Sequence, residues 1–390
     1  MTTGTSPEMR VPLLDLREQY EGLREELRAA VEAVLDSQQF ILGREVRLLE
    51  EELARYTGAR HAVGCASGSD ALLLALKALD LRPLEEVLTT PFSFFATAGS
   101  IVHAGARPRF VDIDPQTYNL DPSLVDSAIT ERTRALMPVH LYGQCAEMTP
   151  LLAVAARHGL PVVEDAAQAI GATDEGRQAG SMGAIGCFSF YPTKNLGAAG
   201  DAGMLTTNDE QLAERLRRLR VHGGATEYHH AEVGFNSRLD TIQAAVLRVK
   251  LPHLDSWTRA RRERAATYTR LFEETGLTAD LTPPQTRPAA AHIFHQYVVR
   301  VHDGRRDALA AHLRECGVGT KIYYPVPLHR QDCFASLGYR EGELPESERA
   351  ARETLALPIY PELKEEQQHY VVESIQRFFR HTPRLKGKLA

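Results

Sequence analysis

The 390-residue chain has the length of a two-domain protein and an ordinary soluble composition, with 43% hydrophobic and 25% charged residues. Its formal charge of -6 gives no general electrostatic basis for binding nucleic acid or an anionic membrane, although it leaves room for a local phosphate site. Scattered cysteines without CxxC spacing predict reduced, buried thiols, with no disulfide framework and no metal site. The start lacks a signal-peptide pattern and no apolar run reaches about 20 residues, which predicts a cytoplasmic protein without a membrane span.

The chain begins with two predicted helices, "EQYEGLREELRAAVEAVLDSQQ" and "REVRLLEEELARYTG", the second ended by Gly58. Short apolar strands then alternate with helical segments ("HAVGCA", "EVLTT", "PRFVDI", "ALMPVHL", "PVVEDA"). This alternation predicts an α/β fold whose mainly parallel sheet lies between helices. Near residue 250 this alternation of strands and helices ends, and a long charged helix and a Pro-rich stretch follow. We therefore predict a large domain over 1–250 and a smaller C-terminal α+β domain over 251–390.

The first candidate for chemistry is the stretch "ASGSDALLLAL", which lies between a predicted strand and helix. Ligands of open α/β sheets bind beyond the carboxyl ends of the strands. Gly68, Ser69 and Asp70 stand there, where small residues and free N–H groups at a helix start favour a phosphate. The alternative is a plain helix cap formed by Ser69 or Asp70.

Two further stretches follow strands in the same way. In "PVVEDAAQAIGA", Asp165 comes directly after an apolar strand, with Gln168 three residues on. A buried carboxylate requires a cation or strong donors, so Asp165 is a ligand candidate, or alternatively a helix cap. In "TTPFSFFATAGS", an aromatic residue such as Phe95 could stack on a flat ring, or could belong to the core.

The fourth stretch, "CFSFYPTKN", places Ser189 and Lys194 among aromatic and small residues. A lysine in a dry pocket loses its proton readily and can form a Schiff base, whereas a lysine near the surface reaches water. The four stretches together suit a flat, phosphorylated ring with a nitrogen that needs a carboxylate and a carbonyl that needs an amine. Pyridoxal phosphate (PLP) has these features.

These stretches, with "PVHLYGQ", "VGFNSRLDTIQAAVL" and "YYPVPLH", resemble the DegT/DnrJ/EryC1/StrS family of PLP-dependent sugar aminotransferases. The resemblance runs from "VPLLDL" to "LPIYPEL", nearly the whole chain. It implies a fold-type-I transferase that works as a homodimer with shared active sites. It also implies that an amino acid, usually L-glutamate, gives its amino group to the cofactor. The resulting pyridoxamine phosphate then passes this amino group to the keto group of a UDP- or dTDP-linked sugar.

The resemblance also carries over residue by residue. Lys194 is implied as the Schiff-base lysine, Asp165 as the partner of the pyridine nitrogen, and Gln168 as the donor to the ring oxygen. Phe95 is implied as the stacking aromatic. The implied phosphate-binding residues are Ser69, Asp70, Ser189 and, reaching in from the neighbouring subunit, Asn236. Candidates for the nucleotide-sugar pocket are Tyr324, His329, Tyr228, His229 and His230.

Two departures from the family pattern stand out. Phe94 occupies a position where the family often has threonine, and "LDLRPLEEV" lacks the usual glycines and aspartate of that turn. Some relatives with histidine in place of the lysine are dehydratases, so Lys194 favours the aminotransferases. The alternatives are a PLP-dependent lyase or decarboxylase on the same fold, a non-catalytic regulator that binds the cofactor, and a nucleotide-sugar binding module without cofactor.

Overall fold

The computed structural model describes residues 9–226 and 228–381. The helices are α1 (Arg17–Ser37), α2 (Arg44–Thr57), α3 (Gly68–Lys77), α4 (Ala96–His103), α5 (Pro122–Ala128), α6 (Met148–Arg157), α7 (Glu210–Leu219), α8 (Thr241–Lys250), α9 (Leu254–Glu274), α10 (Arg306–Glu315), α11 (Pro345–Glu353) and α12 (Glu365–His381). The strands are β1 (His61–Cys65), β2 (Glu86–Thr89), β3 (Arg107–Phe110), β4 (Thr133–Met137), β5 (Val163–Asp165), β6 (Thr173–Asp174), β7 (Arg177–Gln178), β8 (Ile185–Ser189), β9 (Gly203–Thr207), β10 (Gly224–Thr226), β11 (His229–His230), β12 (Leu281–Thr282), β13 (Ala290–Ala291), β14 (Tyr297–Val301) and β15 (Thr354–Leu357).

The central sheet has the strand order β3-β2-β4-β5-β8-β9-β1. Its two halves meet where β4 and β5 are joined by parallel bridges, Leu136 to Val162 and Val139 to Asp165. The pairs from β3 to β8 are parallel, and β9 runs antiparallel to both β8 and β1. The predicted mainly parallel sheet is therefore confirmed, and the carboxyl ends of β2, β4, β5 and β8 lie at one edge.

Helices cover both faces of this sheet. Successive residues of a strand point to opposite faces, and neighbours such as Val87 and Leu88 belong to different core clusters. The Val87 cluster packs against α3, α4 and α7, and the Leu88 cluster against α5 and α6. The helices α2 and α8 pack on the second face near β8 and β9. This layering is what the alternating sequence pattern predicts.

A second core lies in the C-terminal part of the chain. The three-stranded sheet β12-β14-β15 packs with α9, α10 and α12 around Tyr268 and Tyr297. Val11 is also buried in this core, and its strand-like contact with Val318 ties the start of the described chain to it. The division at residue 250 stays a prediction, and residues 382–390 of the predicted second domain lie outside the described residues.

Two local predictions have clear outcomes. The second helix ends at Gly58, which adopts φ 73°, a conformation that glycine accepts without strain. The thiols of Cys65, Cys145 and Cys187 are buried, but Cys333 is exposed because it lies on a short surface turn, so the prediction of uniformly buried cysteines is wrong. Within residues 9–226 and 228–381, no helix combines the length and apolar character needed to cross a membrane.

Candidate active site

The carboxyl edge of the central sheet borders a cavity of about 810 Å³. All four stretches selected from the sequence contribute to its wall. The predicted residues that line it are Gly68, Ser69, Phe95, Asp165, Gln168, Ser189, Lys194 and Tyr324. The fold thus gathers side chains that are far apart in sequence into one concave site, which is where ligands of such folds bind.

Lys194 lies in a tight turn after β8. Its backbone N–H donates to the Tyr191 carbonyl at 2.8 Å, and Gly197 is required nearby because a Cβ there would collide with the Pro192 carbonyl. Burial lowers the pKa of Lys194 from 10.5 to about 8, while the Asp165 carboxylate opposes this shift. At pH 7 about a tenth of this side chain is therefore free amine, far more than for an ordinary lysine, and this is the form that nucleophilic and proton-transfer roles require.

Asp165 ends β5 and is only 4% exposed. One carboxylate oxygen accepts from Thr97 Oγ1 at 2.7 Å, and the other accepts from the Ala167 N–H at 3.3 Å. No helix begins here, so the alternative of a helix cap is excluded. Burial raises the pKa of Asp165, which means that its charged form lacks a full set of partners and would gain from a bound cation.

Glu164, the residue before Asp165, points away from the cavity and anchors the end of β5. It is fully buried and accepts from the N–H groups of Gly180, Met182 and Gly183 at 2.6–2.8 Å. His140 Nε2 donates a fourth bond at 2.8 Å, because its Nδ1 already accepts from a backbone N–H. Glu164 is therefore a satisfied structural carboxylate that fixes where Asp165 lies.

We expect Glu164→Gln to lower the free energy of unfolding by about 3 kcal/mol, as an amide N–H₂ would face N–H donors in a buried site. Urea unfolding followed by circular dichroism measures this change. Glu175→Gln is the matched control. Glu175 is exposed, so this substitution should change the free energy of unfolding by no more than about 0.5 kcal/mol. Equal stability of the two variants would contradict the anchoring role of Glu164.

The start of α3 forms one end of the cavity. Its cap is Ser67, whose Oγ accepts from the Asp70 N–H at 3.1 Å, so the predicted cap by Ser69 or Asp70 is wrong. The N–H groups of Gly68 and Ser69 lack intrahelical partners because they precede the first full turn. A Cβ at Gly68 would collide with Ser189, so glycine lets the helix start approach the end of β8. This combination suits an anion.

Gln168 is held in one orientation by two hydrogen bonds. Its Oε1 accepts from the Tyr142 N–H at 2.7 Å, and its Nε2 donates to the Tyr324 hydroxyl at 3.1 Å. Burial raises the pKa of Tyr324 above its usual range, so this hydroxyl stays protonated. The amide of Gln168 therefore presents a donor on the cavity side, close to Asp165 in the chain.

Comparison with known proteins gives the family. The model of the "DegT/DnrJ/EryC1/StrS aminotransferase family" matches residues 21–376. The chain belongs to this family. Its predicted fold and its resemblance to the family are therefore confirmed.

The DegT/DnrJ/EryC1/StrS relatives include a "pleiotropic regulatory protein" of Geobacillus stearothermophilus, 56% identical over 96% of this chain and 100% of the relative. A "UDP-N-acetyl-3-dehydro-alpha-D-glucosamine 3-aminotranferase" of Acidithiobacillus ferrooxidans is 45% identical over 97% of this chain and 99% of that protein. The crystal structure of S. venezuelae DesV "in complex with ketimine intermediate" superposes with a TM-score of 0.92 at 44% identity, covering 96% of this chain and 100% of DesV.

Two aromatic rings compete for the stacking role within this DegT/DnrJ/EryC1/StrS site. Phe94 and Phe95 both line the cavity. The Phe95 ring is stacked on Phe334 with 5.6 Å between ring centres, whereas the Phe94 ring lies 6.3 Å from that of Tyr324, the partner of Gln168. The role of Phe95 stays a prediction, and Phe94 becomes a second candidate because it is the ring nearer to the Gln168 side.

The remaining predicted residues do not line the main cavity of this chain. Asp70 accepts from Ser237 Oγ at 2.8 Å, and His329 is buried against Glu348. The side chains of Tyr228, His229 and His230 lie exposed on the β10–β11 hairpin. Their roles, and those of Asp70 and His329, stay predictions.

Asn236 lies outside the main cavity, in the wall of a second one of about 340 Å³. This second cavity shares Asp201 with the main cavity. Asn236 is exposed there, and its role stays a prediction.

Sequence reasoning missed two residues that shape the site, Thr97 through a long-range contact and Ser67 through a local one. Thr97 donates to Asp165 and receives a hydrogen bond from Ser93 at 2.8 Å, yet it sits in an unremarkable "FATA" run. Ser67 does not stand out from the sequence because Ser69 and Asp70, which follow it closely, are equally suited to cap the helix. The only local signal is the spacing from Ser67 to Asp70. It equals the spacing between a capping side chain and the backbone N–H that donates a hydrogen bond to it.

Proposed function

We propose that the protein is a cytoplasmic, PLP-dependent aminotransferase that moves an amino group from L-glutamate to the keto carbon of a UDP- or dTDP-linked sugar. The observation that carries this proposal is the meeting of Lys194, Asp165 and the start of α3 in one cavity. The amine, the carboxylate and the anion site are the three groups that PLP requires. The name of the Acidithiobacillus relative, a 3-aminotransferase of a UDP-linked keto sugar, supports the class of substrate.

The cavity residues fit the cofactor at both of its ends. Asp165 would accept a hydrogen bond from the protonated ring nitrogen, a cation that offsets the cost of burying the carboxylate. The N–H groups of Gly68 and Ser69 and the hydroxyl of Ser189 would donate to the phosphate. When bound, PLP supplies an electron sink for the carbanion at the substrate carbon.

The remaining steps rest on the chain's own groups. Lys194, with its pKa lowered to about 8, can take a proton from one carbon and return it to another as a general base and acid. Thr97 keeps the Asp165 carboxylate oriented, and Gln168 keeps a donor aimed into the site. Lys321, an exposed cation on the cavity wall, would favour the diphosphate of the nucleotide.

The direct test is an assay of the purified protein with L-glutamate and a panel of UDP-, dTDP- and GDP-linked keto sugars. Formation of 2-oxoglutarate that depends on one of these sugars supports the proposal. Release of more than one equivalent of 2-oxoglutarate per active site without any sugar acceptor would reject it, because the half-reaction with glutamate alone stops after one equivalent. The regulatory name of the Geobacillus relative favours a second candidate, a cofactor-binding regulator. Cofactor binding without turnover on the whole panel would favour that regulator.

The proposal includes a homodimer in which Asn236 donates to the phosphate of the neighbouring active site. Its support here is that Asn236 lies exposed in the second cavity rather than in the wall that holds Lys194. An amide at that place can serve a partner's anion, whereas an aspartate would repel it. Asn236→Asp should therefore weaken cofactor binding.

We expect a mixture of inactive Lys194→Ala and inactive Asn236→Asp chains to regain activity. Each hybrid dimer would carry one site with both native residues, so complete random exchange gives about one quarter of wild-type activity. The measurement is turnover after subunit exchange, with each parent alone as the control. If hybrids form without any activity, Asn236 serves its own chain.

A further inference from the structure

His295 lines the active-site cavity beside the residues that would hold the cofactor. It stands between β13 and β14, half-buried, in the same wall as Lys194. Its Nδ1 lies 3.1 Å from Oδ1 of Asn195, the residue that directly follows Lys194. This bond fixes the imidazole beside the turn that carries the lysine.

The hydrogen bonds determine which imidazole nitrogen carries the proton. Nδ2 of Asn195 donates to the Ile293 carbonyl at 3.3 Å, so its Oδ1 must be the acceptor for His295. The proton of His295 is therefore on Nδ1. In a neutral imidazole this leaves Nε2 as a hydrogen-bond acceptor, on a side chain that lines the cavity together with Lys194.

The surroundings keep the imidazole neutral. Burial and the positive charges of Lys194 and Arg261, with His292 nearby, hold the pKa of His295 well below its usual range. Arg261 donates to backbone carbonyls, and Asp165 is the anion that acts on Lys194. The other titratable groups in the cavity wall are Asp201, Lys321, Tyr191, Tyr323 and Tyr324.

We propose that His295 is a positioning residue whose Nε2 accepts a hydrogen bond from the free Lys194 amine and holds that amine over the cavity. The use of this contact in proton transfer rests on the proposed function. An acceptor stabilises the ammonium form more than the neutral amine, so the contact raises the pKa of Lys194 above the value that burial alone would give. Loss of Nε2 must then lower the pKa of Lys194.

The experiment measures the pH dependence of Lys194 acetylation by acetic anhydride in the cofactor-free full chain, followed by mass spectrometry of the Lys194 peptide. His295→Asn keeps a donor for Asn195 but has no atom at Nε2. We expect its midpoint to fall by about one pH unit, the size of one hydrogen bond to an ionised group. His295→Gln can place an oxygen near Nε2 and should titrate close to wild type.

The control is His312→Asn, because His312 lies in α10 and contacts the Ser374 carbonyl in the second core. Its Lys194 midpoint should match wild type. An unchanged midpoint in folded His295→Asn, or an equal fall in the Asn and Gln variants, would overturn the proposal.

If neither His295 variant folds, the ¹⁵N chemical shifts of His295 in the wild-type protein show which imidazole nitrogen carries the proton. Protonated Nδ1 supports the proposal, and protonated Nε2 overturns it. The labelling uses no sugar, so it tests the His295 contact independently of the proposed function. If the midpoint shifts but the protein has no transaminase activity, the contact is supported and only the proposed function is rejected.

Discussion

Lys194→Ala is expected to lose transamination by at least about 10⁴-fold, the scale seen when a covalent catalytic group is removed. No other described residue offers an amine beside Asp165 in the cavity, since Lys321 is exposed on its wall. The variant should still bind PLP without a covalent bond, because Asp165 and the start of α3 remain. The measurement is 2-oxoglutarate formation with the sugar that proves active.

A companion labelling experiment locates the covalent link. Borohydride treatment of the yellow wild-type protein should attach the cofactor permanently to the peptide that contains Lys194. The control is Lys364→Ala, since Lys364 is exposed just before α12 and should leave both the label and the rate unchanged. Label on another lysine, or full activity of Lys194→Ala, would remove the central assignment.

The second large effect is expected for Asp165→Asn. Its amide oxygen can still accept from Thr97, so the fold should persist, but a neutral amide cannot hold the proton of the ring nitrogen. The half-reaction with glutamate should slow by roughly 10³-fold, on the order of losses when a preorganised electrostatic partner is removed. PLP should also bind more weakly. Stopped-flow absorbance measures the half-reaction, and equilibrium dialysis measures binding.

Asp126→Asn is the matched control for that substitution. Asp126 is an exposed aspartate at the end of α5 that pairs with Arg157 and His158 far from the cavity wall. Its replacement should leave the half-reaction unchanged. Near wild-type rates in Asp165→Asn would mean that this carboxylate only supports the loop after β5.

The sequence was informative where chemistry follows a strand. Asp165 and Ser189 end the neighbouring parallel strands β5 and β8, so the rule that ligands bind at strand ends was enough to place them together. Lys194 follows a few residues later and cannot move far from that edge. Apolar runs around residues 163 and 185 carried this information because buried parallel strands are continuously hydrophobic.

Other features depend on contacts that local sequence does not encode. Thr97 becomes a hydrogen-bond partner of Asp165 only when α4 packs beside β5. His329 contacts Glu348 because the fold brings α11, which carries Glu348, next to it. The two-residue strands β6 and β13 pair across more than a hundred residues and are too short to show any periodicity. The choice between Phe94 and Phe95 is of the same kind, since their rings differ only in which distant aromatic they meet.

The contact of Val11 with Val318 has a consequence for the order of assembly. The two residues are separated by about 300 positions, and closing so long a loop costs conformational entropy before any contact repays it. During synthesis the segment around Val11 can pair with Val318 only after all the residues between them have been made. Leu13 and Ile322, which flank this contact, also line the cavity. The binding site therefore closes at a late stage, after the central sheet, so a nascent chain that has folded its sheet cannot yet enclose a ligand.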